Sequence, residues 1–565
     1  MKSILKAILL PAAVLCTMSA LTASSHAQTT FNAIGSSALF LELGEAAYSN
    51  NSASCAWSTS TKDVVATDTS TGSSLSDAGT AWAVWVPSSG NTCSSNATPA
   101  AVYGYLNVDS VVGNRCLFNA NAGGLCSISY SSAAGTSPSG LIEGATEVSL
   151  PAAVASSLTS STVNAAGTDI RPEDAEFAIT RALTPCGSST TGTGGSIAPY
   201  LGLGYSNGGS IGSHFSGSIF NVINFSLPST FFVQPVGIDP IVVTINSTDA
   251  AGTGFNNSGT TNISRAALAG YLDGSLGSTS AIAGKGEGGG AKPTTVILRE
   301  PLSGTYNTME YNVPNSRAFQ TSQDVGVNQL PSQVNCSGSV PASNPLAIEN
   351  TAAGSFRYRA IGTGQELSET FATDNALGYA FWGVSNFAAA PSTSKYLLVD
   401  GIDPILTTYH EGVIPTTQAE LNSITFEHVA VDGTYPIWSL LRIVTVNSTT
   451  QSIAKTLAIA AAQFSTVAAT GTSHPDFVTY YNTKGQIAVD LERSHFAPPG
   501  ISFPGSNGIA NQPGNGGVSF YGGQGACTAS EAGGDVGGTP IPIAYTDQSY
   551  CTDTGTVYGI LNRRY

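Results

Sequence analysis

The chain has 565 residues and a formal charge of −16, with 41% hydrophobic and only 10% charged residues. That length allows two or three domains, or two lobes with elaborations. The acidic balance argues against nucleic acid or an anionic membrane as partner, but not against a small anion, because local dipoles inside a fold can outweigh a screened global field.

In chain order, Lys2 and Lys6 form a short basic region, Ala7 to Leu21 is mostly apolar, and Ser25-His26-Ala27 offers a small–x–small cleavage site. Residues 1–27 therefore read as an export signal, and the mature chain as periplasmic or extracellular. Losing those two lysines takes the charge from −16 to −18. Cys16 follows Leu15 rather than a small residue, which speaks against a lipid anchor there. The later apolar run from Leu457 to Ala469 is broken by Gln463 and Ser465 and is too short to span a bilayer. Of nine cysteines, removing Cys16 leaves eight, without CxxC spacing or His partners, which favours disulfides over metal. Proximity along the chain suggests Cys116–Cys126 and Cys527–Cys551.

Phe31 to Ile34 reads as a strand, Gly35-Ser36-Ser37-Ala38 as a tight turn, and Leu39 to Tyr48 as a buried helix. Ser49 to about Ser160 is rich in Ser, Gly, Asn and Cys, with short β-like pieces at Trp82–Val86 and Ala101–Tyr105, and reads as an elaboration stapled by disulfides. Regular alternation resumes with a short strand and loop at Val163–Asp169 and a helix from Pro172 to Leu183, with Glu173 and Asp174 in its first turn. A long strand at Val236–Ile245, a helix at Ser264–Leu272 ending at Gly274, and a loop at Gly284–Gly290 follow. Ala376–Trp382 is another strand and Ser452–Phe464 another helix; beyond about Arg493 the chain is Gly- and Pro-rich. This alternation implies mixed α/β layers, and the two long strands bracket a middle portion as in two lobes joined by two crossings.

The segment Arg299-Glu300-Pro301-Leu302-Ser303-Gly304-Thr305 reads as an anion cradle between the strand Thr294–Leu298 and a helix at Tyr306–Tyr311. Ser, Gly and Thr at a helix start leave backbone N–H groups aimed outward with the positive end of the dipole behind them. Arg299 adds a guanidinium that can grip a tetrahedral oxyanion with two prongs. An ordinary strand–turn–helix junction with Ser303 as N-cap is the plainer reading.

Taken together, these motifs resemble the substrate-binding proteins of phosphate ABC importers. The resemblance rests on Gly35-Ser36-Ser37-Ala38 before the first helix, on Gly167-Thr168-Asp169 after a short strand, and on Arg299 four residues before Ser303-Gly304-Thr305. Further matches are the strand Val236–Asn246, Leu377-Gly378-Tyr379, and Tyr435-Pro436-Ile437-Trp438. It covers roughly Thr30–Ser36 and 160–490. It implies an α/β fold of the two-lobed type II periplasmic-binding-protein clamshell, with a disulfide-stapled insertion and a Gly/Pro-rich C-terminal tail.

On that resemblance the chain divides into a leader at 1–27, a first lobe at 28–235 with an insertion at about 49–160, a second lobe at 236–384, the rest of the first lobe at 385–492, and a tail at 493–565. The implied ligand is inorganic phosphate or a related oxyanion, held by Gly35, Ser36, Ser37, Ala38, Asp169, Arg299, Ser303, Gly304 and Thr305. Asp169 would accept a hydrogen bond from a protonated phosphate oxygen and so turn away sulfate, which lacks that proton; as a turn residue before Pro172 it would do nothing of the kind. The implied partner is an ABC permease, with a monomeric protein, no cofactor and no metal.

The sequence departs from that pattern in three places, the first being Leu39, which stands where a hydroxyl or an aromatic is expected. Glu300-Pro301-Leu302 stands where an acidic residue and Gly are usual, and Glu300 either pairs with Arg299 or is a solvated strand end. A further Ser-containing loop is not evident, with Thr80, Ser88 and Ser89 as candidates. An enzyme has little support: His214, His410, His428, His474 and His495 lie scattered with no HExxH spacing. A secreted structural or surface-interaction protein retaining the fold is the alternative. It is separated from a binding protein by whether Ser36, Asp169, Arg299 and Ser303 converge on one closed cleft.

Overall fold

A computed structural model describes most of residues 29–175, 225–313 and 346–488. The leader, most of the helix expected after Pro172, most of the loop before Gly290, Cys186, Cys336, His214, His474, His495, the tail and the Cys527–Cys551 pair lie outside the described residues.

The chain begins with β1 (Thr29–Gly35), a single 3₁₀ turn, and α1 (Phe40–Ser49). Then come β2 (Cys55–Ser58), β3 (Val64–Asp68), β4 (Leu75–Gly79), β5 (Ala81–Val86), β6 (Ala101–Asn107), α2 (Ser110–Gly123) and β7 (Cys126–Ser129). α3 (Ala152–Thr159) and β8 (Ala165–Thr168) lead on to β9 (Phe232–Asn246). The middle of the chain supplies β10 (Asn262–Ile263), α4 (Arg265–Leu272), β11 (Thr295–Leu298), α5 (Gly304–Asn312), β12 (Leu346–Glu349), β13 (Phe356–Arg359), α6 (Thr363–Ala372) and β14 (Ala376–Phe381). The last elements used below are β15 (Ser394–Tyr396), β16 (Leu398–Val399), β17 (Trp438–Thr445), α7 (Ser448–Thr466) and β18 (Val478–Thr479).

Among the described residues thirteen strands form one mixed sheet, in the order β12-β13-β11-β14-β9-β17-β8-β1-β6-β5-β2, with β15 and β18 also on β9. β1, parallel to both of its neighbours, is closed to solvent on both faces, and Phe31, Ala33 and Ile34 are all fully buried.

β9 divides this sheet into two halves. Residues 232–240 pair with β17, and residues 241–246 pair with β14. Two prolines make that division possible. Proline lacks the N–H a central strand donates and is confined to bulges and interruptions. Pro235 sits at a register shift opposite Leu441/Arg442, and Pro240 sits at the hand-over, where its carbonyl accepts from Trp382 N at 3.0 Å. The long strand thus runs through both halves; beyond β14 the chain stays with the second half, where β15 pairs residues 244–246 of β9 and β16 pairs β10, and it returns to the first half ahead of β17.

The stretch 49–160, read from the sequence as an insertion, is only partly one. β5 and β6 lie inside the main sheet, with β6 parallel to β1, and α2 packs on β1 and β8. The added part is the separate three-stranded sheet β4-β3-β7. Cys116–Cys126 joins α2 to β7 as expected, and Cys55–Cys93 ties β2 to the loop before β6. The Ser-, Gly- and Asn-rich flanks of Trp82–Val86 and Ala101–Tyr105 hide two core strands, because pairing partners and not the flanks decide where a short apolar run lies.

Candidate functional site

The turn after β1 is fixed by a close backbone approach. Gly35 has φ +141°, and a Cβ there would lie 2.0 Å from the Gly167 carbonyl oxygen on β8, so only glycine fits. Ser36 N then donates to Gly167 O at 2.9 Å, and Tyr105 Oη donates to Ser36 O at 2.7 Å. With its backbone held, Ser36 Oγ caps the 3₁₀ turn, accepting from Ala38 N at 3.1 Å, and donates to Asp169 Oδ1.

Asp169 follows β8 and is only 2% exposed. Its backbone N donates to Ser110 Oγ at 3.2 Å, and its carbonyl accepts from Ser439 Oγ and, at 3.2 Å, from Arg442 Nη1. Burial pushes its carboxyl up to about 6; the Ser36 and Ser110 hydroxyls and the Arg299 and Arg442 charges hold it from rising further. This is a placed side chain and not a solvent-facing turn residue.

The second half contributes α5. Ser303 is its N-cap, accepting from Tyr306 N at 3.3 Å. Gly304, the first helical residue, abuts the first half: a Cβ on it would lie 2.3 Å from Asp169 Oδ2 and 2.4 Å from Ser110 Oγ. The positive end of α5 and the Asp169 carboxylate are therefore packed directly together. Val111 N of α2 donates to Leu302 O at 3.1 Å, and Ser37 Oγ and Thr363 Oγ1 are 3.0 Å apart, so several hydrogen bonds cross between halves here.

Arg299 is 2% exposed, and Glu300 fills the fork that the sequence alone offers to an oxyanion. Nε and Nη2 donate to the two Glu300 oxygens at 2.7 and 2.9 Å. Nη1 donates to Thr305 Oγ1 at 3.2 Å and Thr363 Oγ1 at 2.8 Å, and Nη2 stands 3.5 Å from Asp109. Of the two sequence readings of Glu300, pairing with Arg299 is the one realised. Burial opposes the Glu300 charge, but the Arg299 ion pair outweighs it and holds the carboxyl below its usual range. Asp109 is pushed well above its range by burial and by Glu300. Arg299 thus supplies charge to the site with its two-pronged grip already used.

The structure brings Gly35, Ser36, Asp169, Arg299, Ser303, Gly304 and Thr305 to one junction between the halves. Ser37 and Ala38 lie beside it, on the wall of a larger cavity. None of the three candidates for the further Ser-containing loop belongs to the junction. Thr80 accepts from Asn107 Nδ2 at 3.1 Å, Ser88 donates to the Thr98 carbonyl, and Ser89 is exposed. Ser110, at the start of α2, is the serine that reaches the junction, accepting from Asp169 N. Its signal in the sequence is Asn107-Val108-Asp109-Ser110 between an apolar run and a helix, the same strand–turn–helix pattern seen at Arg299. Arg442 and Ser439 carry no local signal; only the antiparallel pairing of β17 with β8 brings them under Asp169. No group of three or more His, Cys, Asp or Glu able to hold a metal occurs among the described residues. No helix among them is long and apolar enough to cross a membrane.

No protein-family model and no curated protein matches the chain. Among solved structures it is similar to an ABC-type phosphate transport receptor from Vibrio cholerae, with 14% identity over 41% of this chain and 68% of that one and a TM-score of 0.24. A phosphate-binding protein from Stenotrophomonas maltophilia gives 16% identity, 63% and 76% coverage, and a TM-score of 0.30. PfluDING, a high affinity periplasmic phosphate-binding protein solved with phosphate bound, gives 13%, 67% and 84%, and 0.27. These likenesses are of broad fold.

Proposed function

We propose that this chain is an exported solute-binding protein that captures inorganic phosphate, or a related oxyanion, between its two halves and delivers it to an ABC permease, without catalysing a reaction. The observation that carries the reading is the meeting of Ser36, Ser110 and Asp169 with the N-terminus of α5 and the Arg299 charge at one buried junction. Neutral hydroxyls and backbone N–H groups at a helix start replace the water an anion loses on burial.

Asp169 supplies selectivity. A bare carboxylate repels an anion, but a protonated phosphate oxygen can donate to it, and sulfate has no such proton. Because Asp169 itself lies against Gly304 in the closed arrangement, the anion enters by parting the halves and takes over the helix start that the carboxylate now occupies. The ligand then shifts an opening–closing equilibrium about the crossing at Pro240 and the return ahead of β17.

Calorimetric titration of the purified chain, stripped of ligand by partial unfolding and refolding, tests this with phosphate and then sulfate. Saturable binding of phosphate with sulfate excluded is expected. A folded sample silent toward both would overturn the reading and favour a structural role for the junction.

A further inference from the structure

The larger cavity beside the oxyanion junction holds about 600 Å³ between the halves, and the carboxyls of Glu42, Asp77, Asp109, Glu300 and Asp476 stand on its wall. A further carboxyl lies on the strand that runs through both halves. Asp239 is 1% exposed, and neither of its oxygens has a hydrogen-bond partner among the described residues. It stands one residue before Pro240, where β9 passes from β17 to β14, and in register with Ser439 of β17.

Asp476 and Asp169 act on it electrostatically, and each belongs to a contact between the halves. Asp169 accepts Ser439 on its carbonyl and lies against Gly304 of the second half. Asp476 precedes β18, which pairs with β9 at Gly237 and Ile238. It accepts from Val384 N, and the neighbouring Pro475 carbonyl accepts from Trp382 Nε1 at 2.8 Å; Trp382 and Val384 follow β14 in the second half. The other ionisable groups packed near this part of β9 are turned to other partners. Arg442 Nη1 donates to the carbonyls of Asp169 and Leu440, Tyr379 Oη accepts from Arg299 N, and Tyr481 Oη accepts from Gln234. Lys455 of α7 is exposed, and Glu42 shares a hydrogen bond with Asp476.

A carboxylate at this place would be buried without a donor and beside two acidic groups, so the closed arrangement holds the neutral form. We propose that Asp239 is a proton-operated latch on the dividing strand: protonated and buried while the halves are together, it ionises when their parting admits water, so that rising pH favours the open form. Parting the halves takes Gly304 from Asp169, and Trp382 and Val384 from Pro475 and Asp476, which uncovers Asp239 on both sides. Burial, Asp476 and Asp169 hold its proton well above the ordinary 3.8. The proton therefore favours closure fully below about pH 4, and that gain is lost as pH rises through the raised value. Under the oxyanion reading, on which this consequence rests, phosphate capture by closure takes up a proton at Asp239.

The distance between spin labels at exposed Ser60 and Ser368, one on each half of the full chain, tests the proposal in phosphate-free buffer. Between about pH 5 and about pH 8 the wild-type distance should lengthen. Asp239→Asn keeps the shape without an ionisable group, and Asp239→Val suits a central strand; both should lengthen less, with near-ultraviolet circular dichroism reporting the native fold. A wild-type distance that stays constant over this range would overturn the proposal, as would an equal lengthening in either folded variant. Calorimetric titration then reads the coupling. Wild-type phosphate affinity should fall relative to that of Asp239→Asn by up to about tenfold per pH unit where the free protein is open, and identical pH profiles would overturn the coupling. A wild-type protein that opens through Asp239 yet binds no phosphate would overturn the oxyanion reading and leave the latch standing.

Discussion

The oxyanion junction and the acidic cavity lie side by side between the same two halves, and both bury carboxyl groups, yet they treat them in opposite ways. Asp169 is buried among donors and cations, and its carboxyl rises only to about 6. Glu42 is equally buried, but its neighbours include the carboxyls of Asp476 and Glu45, and burial together with the Asp476 hydrogen bond pushes it well above its range. Burial alone therefore says little about what a carboxyl can do; the sign of its neighbours decides how firmly it keeps its proton.

The most severe way to break this contrast is Arg299→Ala. It removes the charge common to both regions and strands Glu300, so phosphate binding should be lost and stability should fall by about 3–5 kcal/mol, the cost of leaving a buried partner uncompensated. Denaturant unfolding and calorimetry measure both; retained phosphate affinity would place the anion elsewhere.

Gly304→Ala acts on the junction alone. Its methyl would collide with Asp169 Oδ2 at 2.3 Å and Ser110 Oγ at 2.4 Å, so the halves cannot close. A stability loss of about 1–3 kcal/mol is expected, together with a loss of phosphate binding.

Asp169→Asn sharpens the comparison through pH. The folded carboxyl titrates near 6 against 3.8 for the ordinary group, so the folded state holds its proton more tightly than the unfolded chain. That contribution to stability is complete below about pH 4 and is lost as pH rises through 6. Relative to Asp169→Asn, the wild-type protein should therefore lose on the order of 2–3 kcal/mol across that window. Taking the difference between the two proteins matters, because Asp77 near 7 and Glu366 near 8 carry the same sign. The same variant should admit sulfate; unchanged sulfate exclusion would remove the proton-acceptor role.

Ser110→Ala should give the smallest effect. Losing one neutral hydroxyl is expected to weaken phosphate by about 0.5–1.5 kcal/mol. No change in phosphate affinity would show that Ser110 positions Asp169 without touching the anion.

Much of this arrangement follows from local sequence. Gly35-Ser36, Asp169 after a short strand, and Ser303-Gly304 at a helix start are each dictated by turn, cap and glycine chemistry acting over a few residues, and the long strand through Val236–Ile245 declares itself by its apolar run. Cys116–Cys126 likewise follows from closeness along the chain. Only the tertiary structure could decide the rest. The β5 and β6 strands take their place in the main sheet through pairing with β1, which no local composition encodes. Ser439 and Arg442 reach Asp169 across 270 and 273 residues of chain. Arg299 was legible as a cation, but its commitment to Glu300 depends on burial that removes water as the competing partner. The carboxyls of Glu42 and Asp476 come together from distant segments, and the electrostatic influence between such residues exists only once the chain has folded.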